Sequence, residues 1–100
     1  MALEKRGLSN WDISRLEKEK VGFSQKLRQI RHILSLNRSE FAQRLGISEY
    51  TIANLEGERT KPSIEIVVIL MKELGVTFDS LFSYDLELYR KPNYKERHNY

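Results

Sequence analysis

The chain has 100 residues, 40% of them apolar and 31% charged, with no cysteine and a formal net charge of +3. That length supports one small hydrophobic core, and the lack of cysteine excludes disulfides, cysteine-bound zinc and thiol nucleophiles and suits a reducing compartment. The longest apolar run, Ile66-Val67-Val68-Ile69-Leu70-Met71, is far short of the roughly 20 residues of a membrane helix, and the charged start Met1-Ala2-Leu3-Glu4-Lys5-Arg6 has no signal-peptide apolar region, so a cytoplasmic protein with no membrane role is expected.

Residues 1–22 form an N-terminal extension with a weak helical signal: Ser9 or Asn10 can cap, and Ile13, Leu16 and Lys20 lie along one side before Gly22 interrupts. Leu8, Trp11 and Leu16 are the side chains with which such an extra helix would pack on the rest, or offer an arm to a partner. Phe23, Leu27, Ile30 and Leu34 recur at helical steps, which predicts a helix over 23–35 with Lys26, Arg28 and Gln29 facing outward. A shared N-terminal grammar follows. Asn37, Ser48 and Thr77 each stand as a helix cap between an apolar residue and the start of a short helix, with Leu36 and Phe41, Ile47 and Ile52, and Val76 and Leu81 as hydrophobic staples. Glu40 is the reciprocal acid of a capping box at Asn37. Ser63 caps a further helix whose apolar face is read as Ile64, Val67, Leu70, Met71 and Leu74. Gly46 and Gly75 stand where helices must stop, because glycine enters the left-handed region without a side-chain clash. The expected architecture is all-α: five helices at 23–35, 38–45, 49–56, 64–74 and 78–83, plus an extra N-terminal helix. Residues 23–83 make the domain, and 84–100 a polar tail with Tyr84, Tyr89, Tyr94 and Tyr100 about five residues apart, a spacing that fits no helical stripe.

Charge is divided along the chain. Residues 23–61 carry seven basic side chains against four acidic ones, whereas in 62–89 only Lys72 opposes Glu65, Glu73, Asp79, Asp85 and Glu87. A modest total thus conceals a positive half and an acidic half, and the positive half suits a polyanion.

Helices 38–45 and 49–56 are joined by Leu45-Gly46-Ile47-Ser48, the short glycine-containing turn of a helix-turn-helix unit. Close crossing needs a small inward residue, supplied by Ala42 beside Phe41 and Leu45, and the second helix anchors through Ile52 and Leu55. Glu49, Tyr50, Thr51 and Asn54 are left on its outer face. The stretch Leu36-Asn37-Arg38-Ser39-Glu40-Phe41-Ala42-Gln43-Arg44-Leu45-Gly46-Ile47-Ser48, with Ile52, Leu55-Glu56 and Pro62-Ser63, resembles the Cro/lambda-repressor-type helix-turn-helix family over residues 23–83.

What the resemblance implies is a five-helix bundle that binds double-stranded operator DNA, with the helix after the turn in the major groove, and that controls transcription as a homodimer, a repressor being the expected mode. Its base-reading positions fall on Glu49, Tyr50 and Asn54. Thr51 falls at a sugar-phosphate contact, and Arg38 at a phosphate contact beside the open amides of a helix N-terminus. Arg59, Thr60 and Lys61 fall on the loop that follows the DNA backbone, and Asn37 is a cap first and a phosphate contact second. Asn54 has the chemistry for bidentate adenine recognition. Glu49 has two roles open to it, accepting from cytosine N4 or complementing the helix dipole. The chain departs from the family pattern at Glu58, where glycine is common, and has Gly57 one residue earlier. Arg28 is the best candidate on the 23–35 helix for a further phosphate contact, with Lys26 and Arg31 read as a solvated face.

Phe78, Leu81 and Phe82 are the candidate dimer contacts, since a short terminal helix cannot bury all its faces in a small bundle. His32 and His98 are far apart in the sequence, so no metal site is expected, and no catalytic group or cofactor motif is set up. Glu56 is read as an ion-pair partner for a basic residue of the 38–45 helix, with Arg44 as the candidate. An effector-sensing domain is not expected in so short a chain. The competing function class is a protein-binding module on the same fold, such as the antitoxin of a toxin–antitoxin pair, gripping a protein partner through the extension or the tyrosine tail. Retention of Arg38, Asn54, Arg59 and Lys61 favours the DNA-binding reading.

Overall fold

The computed structural model describes residues 7–89, and every strand-free element among them is helical. The order is α1 (Asn10–Lys18), α2 (Phe23–Ile33), α3 (Arg38–Leu45), α4 (Glu49–Glu56), α5 (Ile64–Leu74) and α6 (Phe78–Tyr89). The protein is all-α, as its periodicity predicts.

Helix starts follow the cap chemistry. Asn37 and Glu40 form a complete capping box on α3, with Oδ1 of Asn37 accepting from the Glu40 amide at 2.8 Å and the Glu40 carboxylate accepting from the Asn37 amide at 2.9 Å. Ser48 accepts from the Thr51 amide at 3.0 Å, and Ser63 from the Ile66 amide at 3.2 Å. At α6, Thr77 and Ser80 exchange both bonds, each amide donating to the other's hydroxyl at 3.0 Å. Ser9 and Asp12 build the corresponding box on α1, which settles the choice between Ser9 and Asn10. The turn between α3 and α4 is closed by Gly46 at φ +74°.

The core runs through all six helices. Leu27, Ile30, Phe41, Ile52 and Leu81 are fully buried, and Leu16, Phe23, Leu34, Ala42, Leu45, Leu55, Val67, Leu70, Leu74 and Val76 complete the cluster. α3 packs closely on α4 and Ala42 is buried, while α2 contacts both α4 and α6 and α1 lies against α6.

Several expectations are corrected by this packing. α2 ends at Ile33, because Ser35 turns into the left-handed region at φ +60°. The last helix continues past 83 to Tyr89, so Tyr84 and Tyr89 are helical; Tyr94 and Tyr100 lie outside the described residues. The extension of α6 is supported by α1, which sequence periodicity alone does not bring near it. The Ser83 hydroxyl donates to the Glu17 carbonyl at 2.9 Å, the Thr77 hydroxyl to the Glu17 carboxylate at 2.9 Å, and Lys20 pairs with Glu87 at 3.4 Å. Of the extension's apolar residues, Leu16 is buried and Leu8 partly so, but Trp11 is 72% exposed.

Lys26 does not face outward. It is fully buried, and its ammonium donates to the Ser80 carbonyl at 3.0 Å, joining α2 to the first turn of α6. Burial pushes its pKa down, opposed by the negative charge of Asp85 and then of Glu19 and Glu17. On α5 the buried stripe is Val67, Leu70 and Leu74, so Ile64 and Met71, expected inside, are exposed together with Val68. Leu81 likewise cannot serve directly as a dimer contact, because it is enclosed in the chain's own core. Phe82 is half-buried, stacked on Phe23 at a centroid distance of 5.1 Å and touching Phe78 at 4.8 Å. Only Phe78 of those three keeps a largely open face, at 45% exposure.

Candidate nucleic-acid interface

α4 is anchored by Ile52 and Leu55, both buried, which turns Glu49 and Tyr50 outward on its first turn. Tyr50 is 76% exposed. Thr51, one residue on, is partly buried; its hydroxyl shares a 2.8 Å hydrogen bond with the Ser48 cap. That bond sets its side chain in the first turn, beside the open amides of the helix. Asn54 follows one turn later, half-buried, with its carboxamide oxygen accepting from Nε of Arg59 at 2.8 Å.

The second group of site residues gathers around Glu56. This carboxylate is fully buried at the end of α4 and meets three guanidinium groups. Arg31 holds it with two bonds, Nε to Oε2 at 2.7 Å and Nη2 to Oε1 at 3.1 Å, while Nη1 donates to the Leu36 carbonyl at 3.1 Å. Arg38 reaches Oε1 from the start of α3 at 3.3 Å. Arg28 donates to the Glu56 backbone carbonyl at 2.9 Å, with its Nε 4.0 Å from Oε1. Burial alone raises the pKa of Glu56, but the hydrogen bonds and charge of Arg31, followed by those of Arg38, outweigh it and hold the carboxyl below its ordinary value.

One negative charge is thus shared by three positive ones. Arg31 is nearly enclosed, at 12% side-chain exposure, whereas Arg28 and Arg38 remain 44% and 47% exposed. The arrangement can offer two preset, half-open guanidiniums to an anion with their geometry already ordered, the form in which arginine recognises phosphate best.

Arg31, expected on a solvated face, is nearly enclosed; Glu56 does pair with a basic residue of the 38–45 helix, as expected, but that residue is Arg38 and not Arg44. Arg44 instead donates to the Glu73 carbonyl at 3.3 Å, across to the end of α5. The sequence signal for this cluster is Glu56 itself. It falls one turn after Ile52, on the inward stripe of α4, where an acid needs a buried partner, and Arg28 and Arg31 are spaced to share one side of α2.

The expected backbone-contact loop, Arg59, Thr60 and Lys61, is exposed throughout. Asn37 is exposed at the start of α3, with its carboxamide oxygen committed to the cap. Glu58, where the family pattern often has glycine, takes a left-handed conformation at φ +61°, while Gly57 does not. The left-handed turn that ends α4 thus falls on a glutamate and not on the adjacent glycine.

A family model described as Helix-turn-helix domain matches residues 24–84. An uncharacterized HTH-type transcriptional regulator of Methanocaldococcus jannaschii is 30% identical over 60 residues, which are 60% of this chain and 91% of that relative.

Proposed function

Because the chain belongs to the helix-turn-helix domain family, we propose that it is a DNA-binding transcriptional regulator that reads operator DNA in the major groove with α4. The observation that carries this reading is the joint placement of an outward α4 face with Tyr50 at its tip and the half-open Arg28 and Arg38 held at Glu56. Glu49, Tyr50 and Asn54 read bases. Asn37, Arg38, Thr51, Arg28 and the loop Arg59, Thr60 and Lys61 meet the sugar-phosphate backbone, setting register without carrying sequence information.

The protein works as a cytoplasmic repressor, occupying its operator as a homodimer. Support for a second copy comes from apolar side chains left open: Ile64 at 76%, Val68 at 47% and Met71 at 38% exposure form a stripe on α5, and Phe78 opens α6 a few residues later. Such a stripe, at spacings of four and three residues, suits packing against the same helix of a second copy.

Selection of binding sites from random duplex DNA tests this directly. Two similar half-sites about one helical turn, roughly 34–36 Å, apart are expected. Tyr50→Ala combined with Asn54→Ala, with the helical circular-dichroism spectrum retained, is expected to erase the base preference. Unchanged preference in that variant would rule out α4 as the reading helix.

A further inference from the structure

Three exposed side chains of α5, Ile64, Val68 and Met71, follow one another at steps of four and three residues, the repeat that keeps one stripe of a helix turned toward a partner helix. The two flanks of that stripe differ. On one side stand Val67 and Leu74, both buried in the chain's own core. On the other stand Glu65 and Lys72, both exposed, each one position after a stripe residue. Seven residues separate this acid from this base, about 10.5 Å along the axis, so the two cannot pair with each other within one helix. The apolar stripe is thus edged by one acid and one base, set toward opposite ends of α5.

We propose that α5 packs antiparallel on α5 of a second copy of this chain, with Val68 of each copy against Met71 of the other and Glu65 of each paired to Lys72 of the other. This rests on the homodimer reading given above and supplies its orientation and register. A two-fold axis normal to the seam turns the second helix end for end and sets each flank beside the same flank of its neighbour. One acid and one base per chain then satisfy two ion pairs across the seam. In this register Ile64 comes over Gly75 of the second copy, where no side chain stands and nothing lies within 4 Å of the place a Cβ would take. A parallel pair does the opposite: it sets the charged flank beside the flank of Val67 and Leu74, which the chain's own core encloses, and leaves both charges without a counterpart. The apolar stripe supplies the affinity, and the ion pairs at its solvent edge fix the orientation.

The test is sedimentation equilibrium of the full chain and its Glu65→Lys and Lys72→Glu variants, each alone and the two mixed. Either variant alone opposes like charges twice, and its dimer is expected to be weaker by about tenfold. An equimolar mixture restores both pairs across the seam, and its heterodimer is expected to come within about threefold of the unmodified affinity. Because the chain has no cysteine, cross-linking gives a second reading. Val68→Cys mixed with Met71→Cys is expected to form an intermolecular disulfide on mild oxidation. Ile64→Cys alone is not, since antiparallel packing holds its two copies beyond the Cα separation of about 7 Å that a disulfide spans. Ready self-cross-linking of Ile64→Cys, absence of the mixed disulfide, or a mixture of charge variants no tighter than its components overturns the proposal. A monomeric unmodified protein, or a dimer indifferent to Val68→Glu, removes the α5 interface and this packing with it. A dimer that Val68→Glu dissociates but neither charge reversal weakens overturns the antiparallel register alone.

Discussion

Glu56 sits fully buried with Arg31 bidentate on its carboxylate and Arg38 on the same oxygen as Arg31's second bond. Removing that charge while keeping the shape leaves the enclosed Arg31 without a partner. Glu56→Gln is therefore expected to cost about 3 kcal/mol of unfolding free energy, measured by urea denaturation at neutral pH. Its pKa is held below the ordinary carboxylate value in the folded protein, so its contribution is complete above the unfolded value and is lost as pH falls through the folded one. The unmodified protein should lose stability on acidification in that window, and Glu56→Gln should show a shallower acid limb. A similar limb in both would assign acid sensitivity to other carboxylates. Glu58 poses the opposite problem, a side chain in a left-handed backbone. Glu58→Gly is expected to stabilise by about 1 kcal/mol, visible as a higher thermal midpoint, because glycine removes the Cβ clash of that conformation. Both residues are adjacent to the reading face, and in both the local sequence departs from what its position would favour.

α1 and α6 depend on each other. The nine residues of α1 bury a single side chain fully, Leu16; Glu17 bonds to Thr77 and Ser83, and Lys20, just past the end of α1, pairs with Glu87. A helix this short is marginal in isolation, so its order must come from docking. Leu16→Ala is expected to destabilise by about 3 kcal/mol through loss of buried surface and the cavity left behind, and to accelerate amide hydrogen exchange in the last turns of α6. Trp11→Ala, at an exposed position, should change stability by less than about 0.5 kcal/mol. Equal effects of the two would mean that α1 is held by the tryptophan. The helices of the helix-turn-helix unit behave differently, since their caps, their Gly46 stop and their inward residues are all specified within a few positions of each other.

Across the whole molecule, positive charge and the reading helix lie in one part of the chain, and the open apolar residues of α5 and Phe78 lie in the other. That division suits a protein with one face for a polyanion and another for a second copy of itself. Val68→Glu, at the centre of the α5 stripe, is expected to convert a dimer to a monomer in sedimentation analysis while leaving the helical content unchanged. A dimer that survives the change would move the interface elsewhere. DNA affinity should fall steeply with salt, and Lys61→Ala should lower the logarithmic salt slope by about one unit with no change in base preference.

The sequence by itself determined the helices of the bundle, their caps, the turn between α3 and α4, and the outward placement of Glu49 and Tyr50 on the first turn of α4. These depend on interactions within one or two turns, where residue type and spacing are sufficient. Tertiary structure alone decided the fate of the charged residues. Lys26 and Arg31 look like surface positions until α6 and α4 are laid against α2, when the Ser80 carbonyl and the Glu56 carboxylate arrive to compensate them. It also decided that α6 continues to Tyr89, that Leu81 is inside and Ile64 outside, and that Arg59 returns to Asn54. The physical reason is the same in each case: burial and pairing are properties of two segments meeting, and neither segment carries its partner's position in its own pattern.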